Sequence, residues 1–258
     1  MSTAPTANPG DGPVALVTGG AKGLGRALVG AFAEAGYRVA ACGRHQPETP
    51  FAGEFVLCDV RDADQVAAMV AEVHARMGRI DVLVNNAGGT PYALADAMSP
   101  RLFERVVALN LVAPFYVAQQ VNRIMQAQDA GGVIVNIGSV AAQRPAPHSV
   151  PYAAAKNGLT GLTRGLAIEW APKVRVVQVT PGLLRTELVA ETYGPNVAAV
   201  EATIPAGRFA TGADVAAVCV NVCSASMAYL TGAEIVVDGG GEIPAWMLAM
   251  GPVGGVEE

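Results

Sequence analysis

The sequence predicts a single α/β domain built on a doubly wound, seven-stranded parallel sheet with helices on both faces. Three observations predict it. Short β-branched or apolar runs alternate with longer amphipathic segments from residue 13 to about residue 238. That alternation is the pattern of parallel strands joined by crossover helices. The chain has 258 residues, 52% of them apolar, with no linker, internal repeat or shift in composition, so it can bury one large core without dividing.

The predicted strands are Pro13–Thr18, Tyr37–Cys42, Glu54–Leu57, Ile80–Val84, Val133–Gly138, Val174–Val179 and Glu234–Val237. Each is short and apolar or β-branched, as strands covered on both faces are. Between them the predicted helices are Leu24–Ala35, Ala63–Met77, Pro100–Gln128, Ala153–Trp170 and Gly212–Cys223. Two segments fall outside the alternation. Glu187–Phe209, with two prolines and two glycines, reads as a lid between the sixth strand and the last helix. Residues 241–258 form an apolar tail carrying Ile243, Trp246, Met247, Leu248 and Met250, expected to dock on its own domain or on another subunit. Residues 1–12 lack an apolar core and read as a disordered leader, and the main domain as residues 13–258.

The net charge of −5, without any run of Lys or Arg, offers no footprint for nucleic acid or an anionic membrane surface. No apolar run is long enough for a transmembrane helix. Four cysteines, Cys42, Cys58, Cys219 and Cys223, and three scattered histidines make no metal-ligand spacing, so no metal is expected. Cys219 and Cys223 read as small core residues. The protein is expected to be cytoplasmic and without disulfides.

Directly after the first strand comes Thr18-Gly19-Gly20-Ala21-Lys22-Gly23-Leu24-Gly25, opening the first helix. Glycines in that place permit a tight turn and let a pyrophosphate approach the unpaired amides and positive dipole end of the helix. The spacing is not the G-x-G-x-x-G form, and the context, strand to turn to helix, makes it a dinucleotide site. At the end of the second strand, where an acidic residue would bind the ribose 2′-hydroxyl of NAD, stand Gly43 and Arg44. A guanidinium pairs with a 2′-phosphate, and Lys22 can reach it from the turn, so NADP is expected over NAD.

Tyr152 and Lys156 are four residues apart on a helical pattern and therefore share a face. An ammonium beside a phenol is expected to lower its pKa from about 10 and make Tyr152 a proton donor to a carbonyl or acceptor from an alcohol. Ser139, at the end of the fifth strand, can hold the substrate oxygen toward that phenol. Asn110 lies in a helical pattern with Pro114 four residues on; proline has no N–H, so the Asn110 carbonyl is free to hold a water that links Lys156 to solvent.

With these residues in order, the chain resembles the short-chain dehydrogenase/reductase family from Val14 to Gly240, and among its members the NADP-preferring 3-oxoacyl reductases. The motifs that carry the resemblance are the Thr18–Gly25 turn, Cys58-Asp59-Val60, Asn85-Asn86-Ala87-Gly88, Asn110, Ser139, Tyr152 with Lys156, Pro181-Gly182 and Asp238-Gly239-Gly240. The resemblance implies a Rossmann fold and a catalytic tetrad of Asn110, Ser139, Tyr152 and Lys156, with Lys156 also holding the nicotinamide ribose. It implies that Asp59 and Val60 bracket the adenine, that Asn86, Ala87 and Gly88 line the adenosine side, and that Pro181, Gly182 and Thr186 face the nicotinamide. Lys22 and Arg44 match the family's NADP-preferring members. It further implies a homotetramer.

The activity expected is interconversion of a ketone and a secondary alcohol on a small, mostly apolar substrate, such as a 3-oxoacyl, steroid or polyketide-like skeleton. Substrate choice is expected in residues 89–99, the loop Val140–Pro151 and the lid, where Tyr92, Arg144, His148, Tyr193 and Arg208 stand; Arg144 or Arg208 would suit an anionic carrier. The alternatives are an NAD-dependent alcohol dehydrogenase, a non-redox epimerase or dehydratase, and a cofactor-sensing binding protein on the same fold.

Overall fold

The computed structural model describes residues 12–50, 53–144, 146–186, 193–244 and 247. Its strands are β1 (Val14–Thr18), β2 (Arg38–Gly43), β3 (Glu54–Leu57), β4 (Val82–Asn85), β5 (Gly132–Ile137), β6 (Val174–Pro181) and β7 (Glu234–Val237). Its helices are α1 (Gly23–Glu34), α2 (Ala63–Met77), α3 (Pro100–Val107), α4 (Ala113–Ala127), α5 (Val150–Trp170), α6 (Val197–Glu201) and α7 (Gly212–Val222). The seven strands form one sheet in the order β3-β2-β1-β4-β5-β6-β7, every neighbouring pair parallel. Strand order reverses between β1 and β4. A crevice therefore opens at the carboxyl edge between the loops leaving those two strands, the position where open α/β sheets bind ligands.

Burial explains the two helical layers. All five residues of β1 are buried, and its side chains alternate between faces. Val14 and Leu16 pack with Val66, Met69 and Val73 of α2, Val117 and Val121 of α4 and Leu166 of α5. Ala15 and Val17 pack on the other face with Leu28, Val29 and Phe32 of α1 and Val215 and Cys219 of α7. Removing a Leu or Phe of this kind from water is worth about 1.5 to 3 kcal/mol each, so both layers are held mainly by burial. Cys42, Cys58 and Cys219 lie in these cores as free thiols. Cys42 and Cys58 touch across β2 and β3, a pairing that their sequence spacing conceals.

Every predicted strand is present, with ends shifted by a residue or two where backbone pairing continues past the apolar run, as at Asn85 and Pro181. Two helical expectations are corrected. The single helix expected over Pro100–Gln128 is interrupted by a π turn at Ala108–Val112, closed by the Ala113 N–H donating to the Ala108 carbonyl five residues back. Pro114 follows at once, and its ring nitrogen has no hydrogen for an ordinary helical bond. α5 begins at Val150 rather than Ala153, because Pro151 suits the first turn of a helix, where its missing N–H costs nothing.

Between residues 193 and 209 the lid contains a 3₁₀ turn and α6, gathered around buried Ile204 and Phe209, with the Tyr193 ring stacked on Phe209 at 5.6 Å. The chain beyond β7 meets it: the Ile243 N–H donates to the Thr203 carbonyl at 2.7 Å. The leader's residues 1–11, lid residues 187–192 and tail residues Trp246, Leu248 and Met250 lie outside the described residues. Among the described residues no helix is long and apolar enough to cross a membrane.

Candidate active site

The crevice at the carboxyl edge is floored by the glycine turn. Gly19 has φ +67° and, with Gly20, donates its N–H to the Cys42 carbonyl of β2 at 2.8 and 3.3 Å. A Cβ on Gly25 would stand 2.0 Å from the Gly19 carbonyl oxygen, so only glycine lets α1 begin so close beneath the turn. Lys22 precedes α1 with extended backbone and no side-chain cap, leaving the first-turn amides of Gly23, Leu24 and Gly25 facing the crevice. By contrast, Asp62 caps α2 by accepting from the Asp64 and Gln65 N–H groups.

The turn is braced from β4. The Thr18 hydroxyl accepts from the Asn86 and Ala87 N–H groups, both at 3.0 Å, and the Asn86 side-chain amide donates to the Thr18 and Gly19 carbonyls at 2.9 and 3.3 Å. Thr18 is buried and its hydroxyl is fully engaged. That hydroxyl holds the turn in place.

Asn110 sits in the π turn and is buried. Its side chain closes a two-way pair with the Gly89 peptide, accepting from its N–H at 3.0 Å and donating to its carbonyl at 2.9 Å, and also donates to the Val106 carbonyl. The side-chain amide is thus spent on shaping the loop after β4. Gly88 lies against both Asn110 and Lys156: a Cβ there would come 2.8 Å from Asn110 Oδ1 and 3.6 Å from Lys156 Nζ.

Ser139 follows β5 and caps a 3₁₀ turn, Val140–Ala142, its hydroxyl accepting from the Ala141 N–H at 3.2 Å. The same hydroxyl hydrogen-bonds the Tyr152 phenol. Lys156, one turn along α5, is buried, donates from Nζ to the Ile137 carbonyl at 2.7 Å, and lies 5.6 Å from the centre of the Tyr152 ring. Burial lowers its pKa to about 8. The expectation that Lys156 lowers the Tyr152 pKa is corrected. Burial raises the phenol, the Ser139 hydrogen bond pulls it down, and the nearby Tyr92 phenol raises it further. The Lys156 ammonium is turned to the Ile137 carbonyl instead.

Pro181 and Gly182 close the far side, the Gly182 N–H donating to the Val237 carbonyl at 3.0 Å. Thr186 lines a cavity of about 320 Å³ together with Gly23, Leu24, Ala27, Gly212 and Ala213. That cavity joins the uncapped start of α1 to the segment after β6. Exposed Lys22 and Arg44 border the crevice with no hydrogen-bond or salt-bridge partner among the described residues, though Arg44 lies near enough to Asp59 to help lower its pKa. At the end of β3, Val60 is buried and the Asp59 carboxylate is gripped by Arg61 at 2.9 and 2.5 Å, which lowers its pKa. An uncapped helix start, a cradle that a Cβ would fill and two exposed cations fit a phosphorylated dinucleotide.

The family model described as "Enoyl-(Acyl carrier protein) reductase" matches residues 19–242. The chain is 38% identical over 242 residues to D-threitol dehydrogenase of Mycolicibacterium smegmatis, covering 89% of this chain and 93% of that one. It is 35% identical over 241 residues to a 3-oxoacyl-[acyl-carrier-protein] reductase of Thermotoga maritima, covering 89% and 98%. The crystal structure of a gluconate 5-dehydrogenase from Burkholderia cenocepacia, in complex with NADP and tartrate, superposes with a TM-score of 0.82 at 33% identity, covering 89% of this chain and 95% of that one. The chain belongs to the short-chain dehydrogenase/reductase family.

For this short-chain dehydrogenase/reductase, sequence reasoning located the groups that stand next to motifs and missed those that arrive from elsewhere. Leu184, Arg185, Gly212 and Ala213 share the cavity with Thr186; the small residues opening α7 are the one sequence signal for them. Tyr92 and Tyr193 lie close enough to influence each other and the site. The two arginines suggested for an anionic carrier are engaged. Arg144 pairs with Asp238 and Glu242, each at 2.8 Å, and Arg208 pairs with both oxygens of Asp214.

Proposed function

We propose that this oxidoreductase interconverts a ketone and a secondary alcohol, using NADP(H), on a free, mostly apolar small molecule. The carrying observation is the convergence of Ser139, Tyr152 and Lys156 at the sheet's carboxyl edge, beside the glycine turn. When bound, the nicotinamide nucleotide supplies or accepts the hydride. The protein's part is to hold the substrate oxygen with the Ser139 hydroxyl and move one proton through the Tyr152 phenol. Burial keeps that phenol protonated at neutral pH, which suits it to give a proton to a carbonyl as it is reduced. The Lys156 ammonium, donating to the Ile137 carbonyl, is proposed to hold the nicotinamide ribose, and the Asn110 carbonyl to hold a water that links Lys156 to solvent.

NADP over NAD rests on Arg44 and Lys22, exposed cations after β2 and in the glycine turn, and on Gly43 in place of an acid. The apolar substrate is supported by a groove of about 380 Å³ lined by Ala95, Met98, Phe103 and Val150, two residues before Tyr152. A free rather than carrier-bound substrate is supported by the neutralisation of Arg144 and Arg208. A second reading, a polyol or ketose, is favoured by the Tyr92 and Tyr193 phenols and by the similarity to D-threitol dehydrogenase. A homotetramer, as the family resemblance implies, is proposed for the assembly.

The deciding experiment is a fluorescence titration with NADPH and with NADH, followed by reduction assays on 2-octanone, ethyl acetoacetate and L-erythrulose. Tighter NADPH binding by tenfold or more, about 1.4 kcal/mol, is expected. Equal or tighter NADH binding overturns the cofactor assignment. Tyr152→Phe is expected to abolish turnover while leaving cofactor affinity within twofold; retained turnover removes Tyr152 from the chemistry.

A further inference from the structure

The segment after β7 carries three successive glycines in left-handed conformations, Gly239, Gly240 and Gly241, with φ of +67°, +97° and +84°. That conformation is costly for any other residue and bends the chain back across the site. Five contacts fix where it goes. Asp238 packs against Gly182, where a Cβ would come 2.7 Å from the Asp238 Cβ. The Ala206 N–H of the lid donates to the Gly239 carbonyl at 3.0 Å, and the Ile243 N–H donates to Thr203 of the lid. Gly240 meets the ring of Pro205 in the lid. The fifth contact is Arg144, from the loop that Ser139 opens.

Arg144 is fixed at its root, because its N–H donates to the Val140 carbonyl in the 3₁₀ turn capped by Ser139. Its guanidinium then spans two carboxylates: Nη2 to Asp238 Oδ2 and Nε to Glu242 Oε2, each at 2.8 Å. The guanidinium lies against Gly241, where a Cβ would come 2.8 Å from Nη1. Gln143 beside it donates to the Glu234 carboxylate of β7 at 3.2 Å. Asp238, at 14% side-chain exposure, has little water to replace a lost partner.

We propose that Arg144 is a positioning residue for substrate: its guanidinium latches the loop that carries Ser139 to the C-terminal segment and, through that segment, to the lid. One planar cation with two carboxylates carries a net charge of −1 in the cluster. Without Arg144 two carboxylates share the site without a cation, Asp238 keeping only the Gly240 N–H, and the segment that holds the lid loses its guanidinium tie to the Ser139 loop. A lysine offers a point charge in place of a fork and restores only part of the latch. The inference rests on Ser139 and Tyr152 forming the reacting end of the site, but the latch itself can be read without turnover.

The test uses the full chain and its Arg144→Gln, Arg144→Lys and Glu242→Gln variants. Deuterium exchange by mass spectrometry is followed over residues 200–209 and 238–244, with the glycine turn, residues 18–26, as the internal control. Arg144→Gln is expected to speed exchange in the first two regions tenfold or more and leave the turn unchanged, with NADPH affinity within twofold of wild type. With whichever ketone is reduced, KM is expected to rise tenfold or more while kcat changes less than threefold, and Arg144→Lys to recover part of the loss. Unchanged exchange overturns the proposal, as do a KM equal to wild type or a parallel loss of NADPH affinity. If Arg144→Gln does not fold, the milder Glu242→Gln variant is read by the same criteria. If no ketone is reduced, the proposed function fails while the exchange result still decides the latch.

Discussion

Lys156 brings an ammonium to a place with almost no water, 3% exposed, and one hydrogen bond to the Ile137 carbonyl offsets only part of the cost. Its pKa is depressed from 10.5 to about 8, so the ammonium is harder to hold in the folded protein than in the unfolded chain. Between about pH 8 and 10.5 the unfolded chain binds the proton more tightly, and stability from this group rises with pH. Below about pH 8 the whole penalty is present, on the order of 3 kcal/mol. Lys156→Met is therefore expected to melt higher than wild type at neutral pH, with turnover lost and the difference in Tm shrinking as pH approaches 10. An equal or lower Tm at neutral pH contradicts it. The residue-level chemistry was legible wherever a motif keeps its members near each other, as with Tyr152 and Lys156. It was not legible where the partner is distant: Arg144 meets a carboxylate 94 residues along the chain, and no spacing announces that.

At the level of elements, the π turn at Ala108–Val112 is where helical geometry yields to the site. The register widens so that the Asn110 side chain can clasp the Gly89 peptide, and Pro114 follows without a donor to restore the ordinary pattern. Pro114→Ala returns an N–H at that position and is expected to lower kcat at least fivefold, with cofactor affinity and Tm little changed, by competing for the Asn110 carbonyl. Turnover equal to wild type would separate the proline from catalysis. Apolar periodicity located this stretch as helical but could not report the widened turn, since one extra residue per turn barely moves the apolar stripe. Strand ends were misjudged for a related reason. Asn85 and Pro181 are not apolar, yet Asn85 continues the ladder while its side chain donates to Asn136 of β5 at 2.9 Å.

For the whole molecule, the alternation of apolar runs and helices was enough to predict seven parallel strands, because a strand buried on both faces has no polar side to confuse the pattern. The order of those strands depends on which helix covers which face, and that was not in the runs themselves. The outer surface carries its own signal on α5, where Gly161, Gly165 and Ile168 share one face; Ile168 is 81% exposed and nothing stands within 4 Å of a Cβ at either glycine. For the homotetramer proposed above, Ile168→Glu is expected to lower the mass found by light scattering toward two copies or one. An unaltered mass would place the contact elsewhere.

The reversal of strand order between β1 and β4 also sets a timetable for synthesis. Residues up to Ala87 can pair β3, β2, β1 and β4 into a small sheet with the glycine turn already braced by Asn86. The loop bearing Ser139 emerges much later and its arginine then waits for Asp238, so the residues of the glycine turn are all made well before those of the reacting half.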